Sequence, residues 1–266
     1  MTQNLPVEGS FVSMTDRDGV APILSPPLKG ISGLRAAQGD LPPDSGGFDY
    51  IVLTRGFSRV FWGLALTAVL LLSNARVEVF SGLHLPAFFL GTFIHFWGLV
   101  TLWRAGKVSS SWRPRLSLAI ALVLMEIYFF PFVRWWNAMP YLTFFTLNVA
   151  ALAMTAIFSL YLSNLIAADL FRRLAMPGER LEARIYAGSV MAFIALPLSV
   201  ALVFSLVSAS RYQTVFLDEL FEAVHSVPIW LYVIITIPYS LTLAILWKAR
   251  DRSYQQFCRE KEIKEK

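Results

Sequence analysis

Leu116–Val133 reads LSLAIALVLMEIYFFPFV, a run of 18 residues with a single charged side chain, Glu126. At a rise of about 1.5 Å per residue, a helix of this length extends roughly 27 Å. That length is close to the roughly 30 Å hydrocarbon core of a bilayer, in which a helix pairs its own backbone donors and acceptors. The run therefore predicts a transmembrane helix with an ionisable group in its interior.

Five further apolar runs divide the rest of the chain. The composition agrees with membrane insertion, since 56% of the residues are hydrophobic and only 15% are charged, against about 25% charged residues in soluble domains. This balance excludes an ordinary soluble enzyme, a disordered protein and a fibrous repeat. We predict an all-α, polytopic membrane protein with six transmembrane helices. Besides Leu116–Val133, the predicted spans are Phe57–Ala75, Leu85–Trp103, Tyr141–Ala168, Ile185–Ala209 and Val227–Trp247.

The segments before and after the spans differ from them in composition. Residues 1–47 hold six of the 14 prolines and seven of the 15 glycines, which predicts a disordered tail. Residues 48–59 mix apolar side chains with Arg55 and Arg59, which predicts an interfacial helix before the first span. Residues 248–266 form a charged tail that contains seven of the 23 basic residues.

Basic residues alternate between the two ends of the predicted spans. Residues 1–59, 104–115, 172–184 and 248–266 together carry twenty Lys and Arg, whereas the three intervening connections carry one each. Loops rich in Lys and Arg stay on the cytoplasmic side of the membrane. The pattern predicts a multi-pass protein of the cell (inner) membrane whose N-terminus and C-terminus are both cytoplasmic.

Two ionisable residues are expected near the middle of the bilayer. Glu126 lies eleven residues past Arg115, or about 16 Å along a helix, and His95 lies ten residues into the neighbouring antiparallel span. We hypothesise that His95 and Glu126 form a hydrogen-bonded pair, extended by Asn148, which relays a proton or binds a cation. The alternative is a pair that only joins helices, because hydrogen bonds inside membranes often serve packing.

One face of the second predicted span carries small residues around the histidine. Gly91, His95 and Gly98 occupy positions i, i+4 and i+7 of the helix, so they lie on the same side. Because glycine has no side chain, we expect a neighbouring helix to approach this face closely.

The outer connection before the sixth span is predicted to form a separate helix. Residues 215–225 place apolar side chains on one helical side and Asp218, Glu222 and His225 on the other, as in an amphipathic helix on a membrane surface. His84 begins the second span on the same side of the membrane. A metal site needs three or four converging ligands, so we expect a solvated polar face and no metal site.

The inner connections are short and basic, and they allow two interpretations. They either dock a cytoplasmic partner or serve only as charged flanks that fix the topology. The basic side chains of these inner docking loops are Arg104, Lys107, Arg172, Arg173, Arg180 and Arg184.

Several classes of chemistry lack their sequence patterns in this chain. The single cysteine, Cys258, and the three histidines provide no zinc or iron–sulfur spacing, so no cofactor is expected. GxSxG, HExxH and GxxxxGKS/T sequences are absent, and we predict that the chain is not an enzyme. The basic residues lie beside hydrophobic runs, which indicates membrane topology and not nucleic-acid binding.

The order of predicted elements leads to two functional interpretations. Over roughly residues 48–250 the layout resembles exporter permeases of the ATP-binding-cassette type two class, which implies a transport component whose basic loop Arg104–Arg115 contacts a cytoplasmic ATPase. The alternative is a non-catalytic subunit of a larger respiratory, photosynthetic or secretion complex, because sparse polarity and abundant Phe and Trp suit packing against other subunits. The expected partners are the lipid bilayer and other protein subunits, or further copies of this chain.

Overall fold

The computed structural model describes residues 49–74, 84–139, 141–212 and 229–265. This part of the chain is built from helices and contains no strand, so the predicted all-α class is confirmed there. The helices are α1 (Tyr50–Asn74), α2 (His84–Arg104), α3 (Trp112–Phe129), α4 (Pro131–Ala138), α5 (Thr143–Arg173), α6 (Pro177–Val190), α7 (Leu196–Tyr212) and α8 (Ile229–Lys264), with a π-helical segment, Met191–Ala195, between α6 and α7.

Three helical stretches of the described residues are long and apolar enough to cross a membrane. They are Trp112–Ala138, which covers α3 and α4, Thr143–Arg173, which is α5, and Pro177–Val203, which runs from α6 into α7. Their mean hydropathies are 2.2, 1.8 and 2.0, respectively. These stretches correspond to the third, fourth and fifth predicted spans. The count of six spans and the orientation of the termini stay predictions.

The interfacial helix predicted over residues 48–59 is not a separate element, because this segment continues into the rest of α1 without a break. Asp49 caps the helix, since its Oδ1 accepts hydrogen bonds from the backbone N–H groups of Ile51 and Val52 at 3.1 and 3.2 Å. Phe57 is fully buried. The start of α1 therefore packs into the bundle as part of one long helix.

Helices α1 and α2 pack with their backbones close together. A Cβ atom at Gly63 of α1 would lie 2.4 Å from the backbone nitrogen of His95, and one at Gly98 of α2 would lie 2.7 Å from the backbone nitrogen of Val60. Real Cβ atoms essentially never approach other atoms this closely. Glycine is therefore required at this crossing, and the predicted close approach to the glycine face of α2 is confirmed.

Two prolines in the predicted spans coincide with breaks in the regular α-helix. Pro131 starts α4 after a turn at Phe130, because proline has no N–H group to continue the hydrogen bonding of α3. Pro197 follows the π-helical segment Met191–Ala195, where the backbone hydrogen bonding changes register. Pro238 differs from both, since α8 continues past it as one helix.

A tight turn reverses the chain between α5 and α6. Ala175 has a φ of 55°, and the N–H groups of Met176 and Ala175 donate to the carbonyl oxygens of Phe171 and Arg172 at 2.9 and 3.3 Å. This is a Schellman motif, which satisfies the last carbonyl groups of α5. Pro177 then starts α6, a position at which its fixed φ suits a helix. After this turn, α6 packs against α5.

Helix α5 is central to the packing, because it contacts α3, α4, α6 and α8. Helix α8 also packs against α1 and α6. We use the term basic end for the end of the bundle formed by residues 104–115, residues 172–184 and α8 beyond Trp247. Much of the buried core lies toward that end; its largest buried side chains include Trp112, Leu116, Ile166, Leu170, Phe171, Ile245 and Leu246.

Some predicted features fall on residues that the structure does not describe. Outside the described residues lie the tail over residues 1–47, the outer amphipathic helix over residues 215–225 and its polar residues Asp218, Glu222 and His225. His84 begins α2, but its side chain also lies outside the described part of the chain. The charged tail predicted from residue 248 onward belongs to α8, which continues to Lys264.

Candidate functional site

Glu126 lies on the buried face of α3, among apolar side chains. Leu116, Ala119 and Val123 precede it on that face and are fully buried, and Glu126 itself is only 7% exposed. Its Oε1 atom has no hydrogen-bond partner among the residues that the structure describes. Burying a carboxyl group without a partner is energetically costly. Glu126 is therefore the leading candidate for a functional group in this bundle.

Two polar side chains, one from α5 and one from α8, lie near the Glu126 carboxyl group. Ser159 of α5 lies beside it, and the Ser159 hydroxyl likewise has no hydrogen-bond partner within the described part. Tyr239 of α8 is close enough to interact with Glu126 electrostatically. The Tyr239 hydroxyl donates a 2.5 Å hydrogen bond to the backbone oxygen of Leu64 in α1. We call Glu126, Ser159 and Tyr239 the Glu126 site; its members come from α3, α5 and α8.

His95 is buried on a different contact surface. Its side chain is 2% exposed, its backbone lies against Gly63 of α1, and its Nε2 atom has no partner among the described residues. No hydrogen bond joins His95 to Glu126 in the part of the chain that is described. The predicted pair is not formed, because the face of α2 that carries His95 packs on α1, whereas Glu126 lies beside Ser159 of α5.

The two asparagines of α5 have different surroundings. Asn148, the predicted third member of the polar pair, donates from Nδ2 to the carbonyl oxygen of Phe144 in its own helix at 2.7 Å, so it does not extend the Glu126 site. Asn164, which sequence reasoning missed, donates to Thr242 Oγ1 at 2.8 Å and joins α5 to α8. In the sequence both asparagines interrupt the same apolar run, so the pattern does not distinguish them. In the structure Asn164 is fully buried, whereas Asn148 is partly exposed.

A second buried carboxylate, Asp169, lies at the basic end. Arg115 Nη1 lies 2.7 Å from its Oδ2, and the Ser111 hydroxyl donates to the same oxygen at 3.1 Å. This pair joins the end of α5 to the start of α3. Sequence reasoning missed it, because the partners are more than fifty residues apart and share no local pattern.

Two further ion pairs join α6 to α8. Arg252 donates from Nε and Nη2 to Glu179 Oε1 at 3.0 and 2.6 Å, and Lys248 Nζ lies 2.6 Å from Glu182 Oε2. The Tyr186 hydroxyl also donates to Glu182, at 2.8 Å. The acidic residues of this inner loop therefore make contacts within the chain.

The basic residues of the predicted docking loops remain on the surface. Arg172 lies 3.9 Å from Asp169, and Arg180 is half-buried. The docking residues that are exposed and have no acidic partner in the described part of the chain are Arg104, Lys107, Arg173 and Arg184. They form a basic surface at the basic end, and a partner for it stays a prediction.

Removal of the Asp169 carboxylate is expected to destabilise the bundle. Asp169→Ala leaves Arg115 without its buried partner, and we expect the free energy of unfolding to fall by about 1–2 kcal/mol, since Arg115 is itself partly exposed. Thermal unfolding in mild detergent, followed by circular dichroism, measures the change. Asp251→Ala is the matched control, because Asp251 is 49% exposed and its loss should cost less than about 0.5 kcal/mol. Equal unfolding midpoints for the two variants would contradict the role of Asp169.

No protein-family model, curated protein or solved structure matches this chain.

Proposed function

We propose that the chain is a six-span protein of the cell (inner) membrane, with both termini in the cytoplasm. Three apolar helices support the proposal, and α1, α2 and α8 contain the remaining apolar runs of the sequence. The alternation of basic connections supports the orientation. On this proposal the basic end faces the cytoplasm.

The single cysteine, Cys258, provides a test of the orientation. It lies in α8 beyond the proposed sixth span and is partly exposed. We expect a membrane-impermeant maleimide to label Cys258 in inside-out vesicles and not in sealed right-side-out vesicles. Cys258→Ser measures the background labelling of other proteins. Labelling of Cys258 from the outside would contradict the proposed orientation.

We further infer that the protein is a permease-like transport component in which Glu126 takes up and releases a proton. The single observation that carries this inference is the Glu126 carboxyl group, buried between helices with an unpartnered oxygen. An ionisable group inside a membrane span is costly, and such groups commonly belong to ion pathways or proton relays. The hydroxyl group of Ser159 lies beside it, and Tyr239 is within electrostatic range.

A proton suits the Glu126 site better than a metal cation. Hard metal cations bind six or more oxygen ligands at once, whereas the described neighbours of Glu126 supply only two hydroxyl groups, those of Ser159 and Tyr239. The described residues also contain no group of three or more His, Cys, Asp or Glu side chains that would hold a metal ion. A proton needs only one carboxyl oxygen.

Reconstitution of the purified protein tests the proposed transport function. Liposomes loaded with a pH-sensitive dye receive a potassium diffusion potential, negative inside, through valinomycin. We expect proteoliposomes to acidify faster than protein-free liposomes, because the potential drives protons inward through the Glu126 site. A rate equal to that of protein-free liposomes would contradict proton transport by this chain alone.

A second candidate function is that of a non-catalytic subunit in a larger membrane complex. The last part of α8 favours it, since the helix extends beyond Trp247 to Lys264 and exposes Tyr254 by 55% and Ile263 by 75%. Large apolar side chains on an otherwise charged helix are typical of a surface that contacts another protein.

Purification from native membranes in mild detergent distinguishes the two candidates. A stoichiometric cytoplasmic ATPase in the purified sample would support a transport component of the exporter type. Several other membrane subunits would support the accessory-subunit function. Recovery of the chain alone or as a homo-oligomer would favour a self-contained transporter that uses Glu126.

A further inference from the structure

A cavity of about 360 Å³ opens on the surface of the α1–α2 pair, and none of its lining residues belongs to the Glu126 site. Its walls are Phe93, Ile94 and Trp97 of α2, and Arg59 of α1 lies at its edge. Pockets of roughly 300–1,000 Å³ with apolar walls and a few polar groups are typical of small-molecule sites. The cavity therefore combines an apolar wall with a single cationic side chain.

The helix spacing explains why these residues meet. Phe93 and Trp97 are one turn apart on α2, are 55% and 42% exposed, and stack with ring centroids 6.3 Å apart. The close α1–α2 crossing brings Arg59 across to α2, where its Nη1 donates a 2.7 Å hydrogen bond to Thr101 Oγ1. The guanidinium group is thereby held at one end of the aromatic stack.

Positive charge at this cavity is not neutralised by the described part of the chain. Arg59 and Arg104 form no ion pair with a described acidic residue, and the Arg104 guanidinium carbon lies 6.0 Å from the centre of the Trp97 ring. Arginine has five N–H donors, and the hydrogen bond to Thr101 uses one of those of Arg59. The remaining donors have the planar geometry that binds a phosphate group through two hydrogen bonds.

We propose that this cavity binds an anionic phospholipid. The acyl chain lies against Phe93, Ile94 and Trp97, and the phosphate group accepts hydrogen bonds from Arg59. Charge complementarity selects an anionic headgroup, because Arg59 and Arg104 have no counterion among the residues that the structure describes. The apolar walls select a lipid over free phosphate, since a soluble anion leaves them unfilled. Basic pockets between membrane helices are known to bind such headgroups.

Native mass spectrometry of the full-length protein in neutral detergent tests the proposal. The protein is titrated with phosphatidylglycerol and, separately, with phosphatidylcholine of the same acyl chains. We expect phosphatidylglycerol to bind about tenfold more tightly. Both lipids carry the phosphate group that Arg59 binds, but the choline group of phosphatidylcholine adds a positive charge, which Arg59 and Arg104 repel. Arg59→Gln should remove this preference. Arg134→Gln should retain it, because Arg134 is exposed on α4, which does not line the cavity.

A second variant tests the apolar wall without changing any charge. Ile94→Trp fills the cavity and should weaken binding of both lipids, while Arg59 remains in place. Glycerol phosphate is then added as a soluble competitor, and we expect it not to displace phosphatidylglycerol. Displacement by glycerol phosphate would show a site for free phosphate and overturn the lipid proposal. Equal binding of both lipids to the wild-type protein, or unchanged selectivity in Arg59→Gln, would also overturn it.

Discussion

Gly63→Ala is expected to separate α1 from α2 and to lower the stability of the bundle. The new Cβ atom would lie 2.4 Å from the backbone nitrogen of His95, 2.7 Å from its Cα and 2.8 Å from the carbonyl oxygen of Gly91. All three neighbours are backbone atoms, so no change of side-chain rotamer relieves the overlap. We expect the free energy of unfolding to fall by about 1–3 kcal/mol, as in other overpacked interfaces.

Gly188→Ala is the matched control for this prediction. Gly188 lies in α6, and a Cβ atom there would meet nothing within 4 Å. Since alanine favours a helix interior over glycine by up to about 1 kcal/mol, this variant should be as stable as the wild type or more so. Thermal unfolding in the same detergent compares the two variants. Midpoint shifts in the same direction and of similar size would contradict the close backbone packing at Gly63.

Glu126→Gln is expected to abolish most of the proton transport while leaving the fold intact. The amide has nearly the shape of the carboxyl group but does not take up or release a proton. Loss of a positioned proton-transfer group typically costs about a hundredfold or more in rate, and we expect a similar fall in the part of the acidification rate that exceeds the rate of protein-free liposomes. Stability should be retained, because Glu126 Oε1 has no hydrogen-bond partner to lose among the described residues.

Two comparisons separate a transport role from a packing role at Glu126. Glu260→Gln makes the same chemical change on the exposed surface of α8, and its acidification rate should equal that of the wild type. The unfolding midpoint of Glu126→Gln should lie close to the wild-type value. An unchanged rate together with a lowered midpoint would identify Glu126 as a packing residue.

Features that depend on helical period were predictable from the sequence. The spacing of Gly91, His95 and Gly98 defines one face of a helix whatever its neighbours are, and the structure places this face against α1. The apolar runs from residue 112 to residue 203 likewise define three helices by their length and composition alone. Both inferences use only residues that are close together in the sequence.

Features that depend on the rotation of one helix relative to another were not predictable. His95 and Glu126 lie in adjacent predicted spans at similar depth, but equal depth does not determine which neighbour each side chain faces. The polar groups near Glu126 are Ser159 and Tyr239, which are distant in sequence. A pattern within one helix contains no information about such neighbours.

The ion pairs at the basic end illustrate the same difficulty. Glu179 and Glu182 lie in the inner connection over residues 172–184, for which the sequence allows either a docking role or a role in fixing the topology. Their partners, Arg252 and Lys248, lie in α8. The separations along the chain are 73 and 66 residues. Charge composition alone therefore indicated a charged surface, and only the packing of α6 on α8 reveals which charges neutralise each other.

The most direct test of the proposed transport site is the protonation of Glu126 itself. Infrared difference spectroscopy of the protein in lipid bilayers records the C=O stretch of protonated carboxyl groups as the pH of the surrounding water is changed. We predict a band that grows as the pH falls and that is missing from Glu126→Gln. Identical pH-dependent spectra for the wild type and Glu126→Gln would show that Glu126 exchanges no proton with water, and would contradict its role in transport.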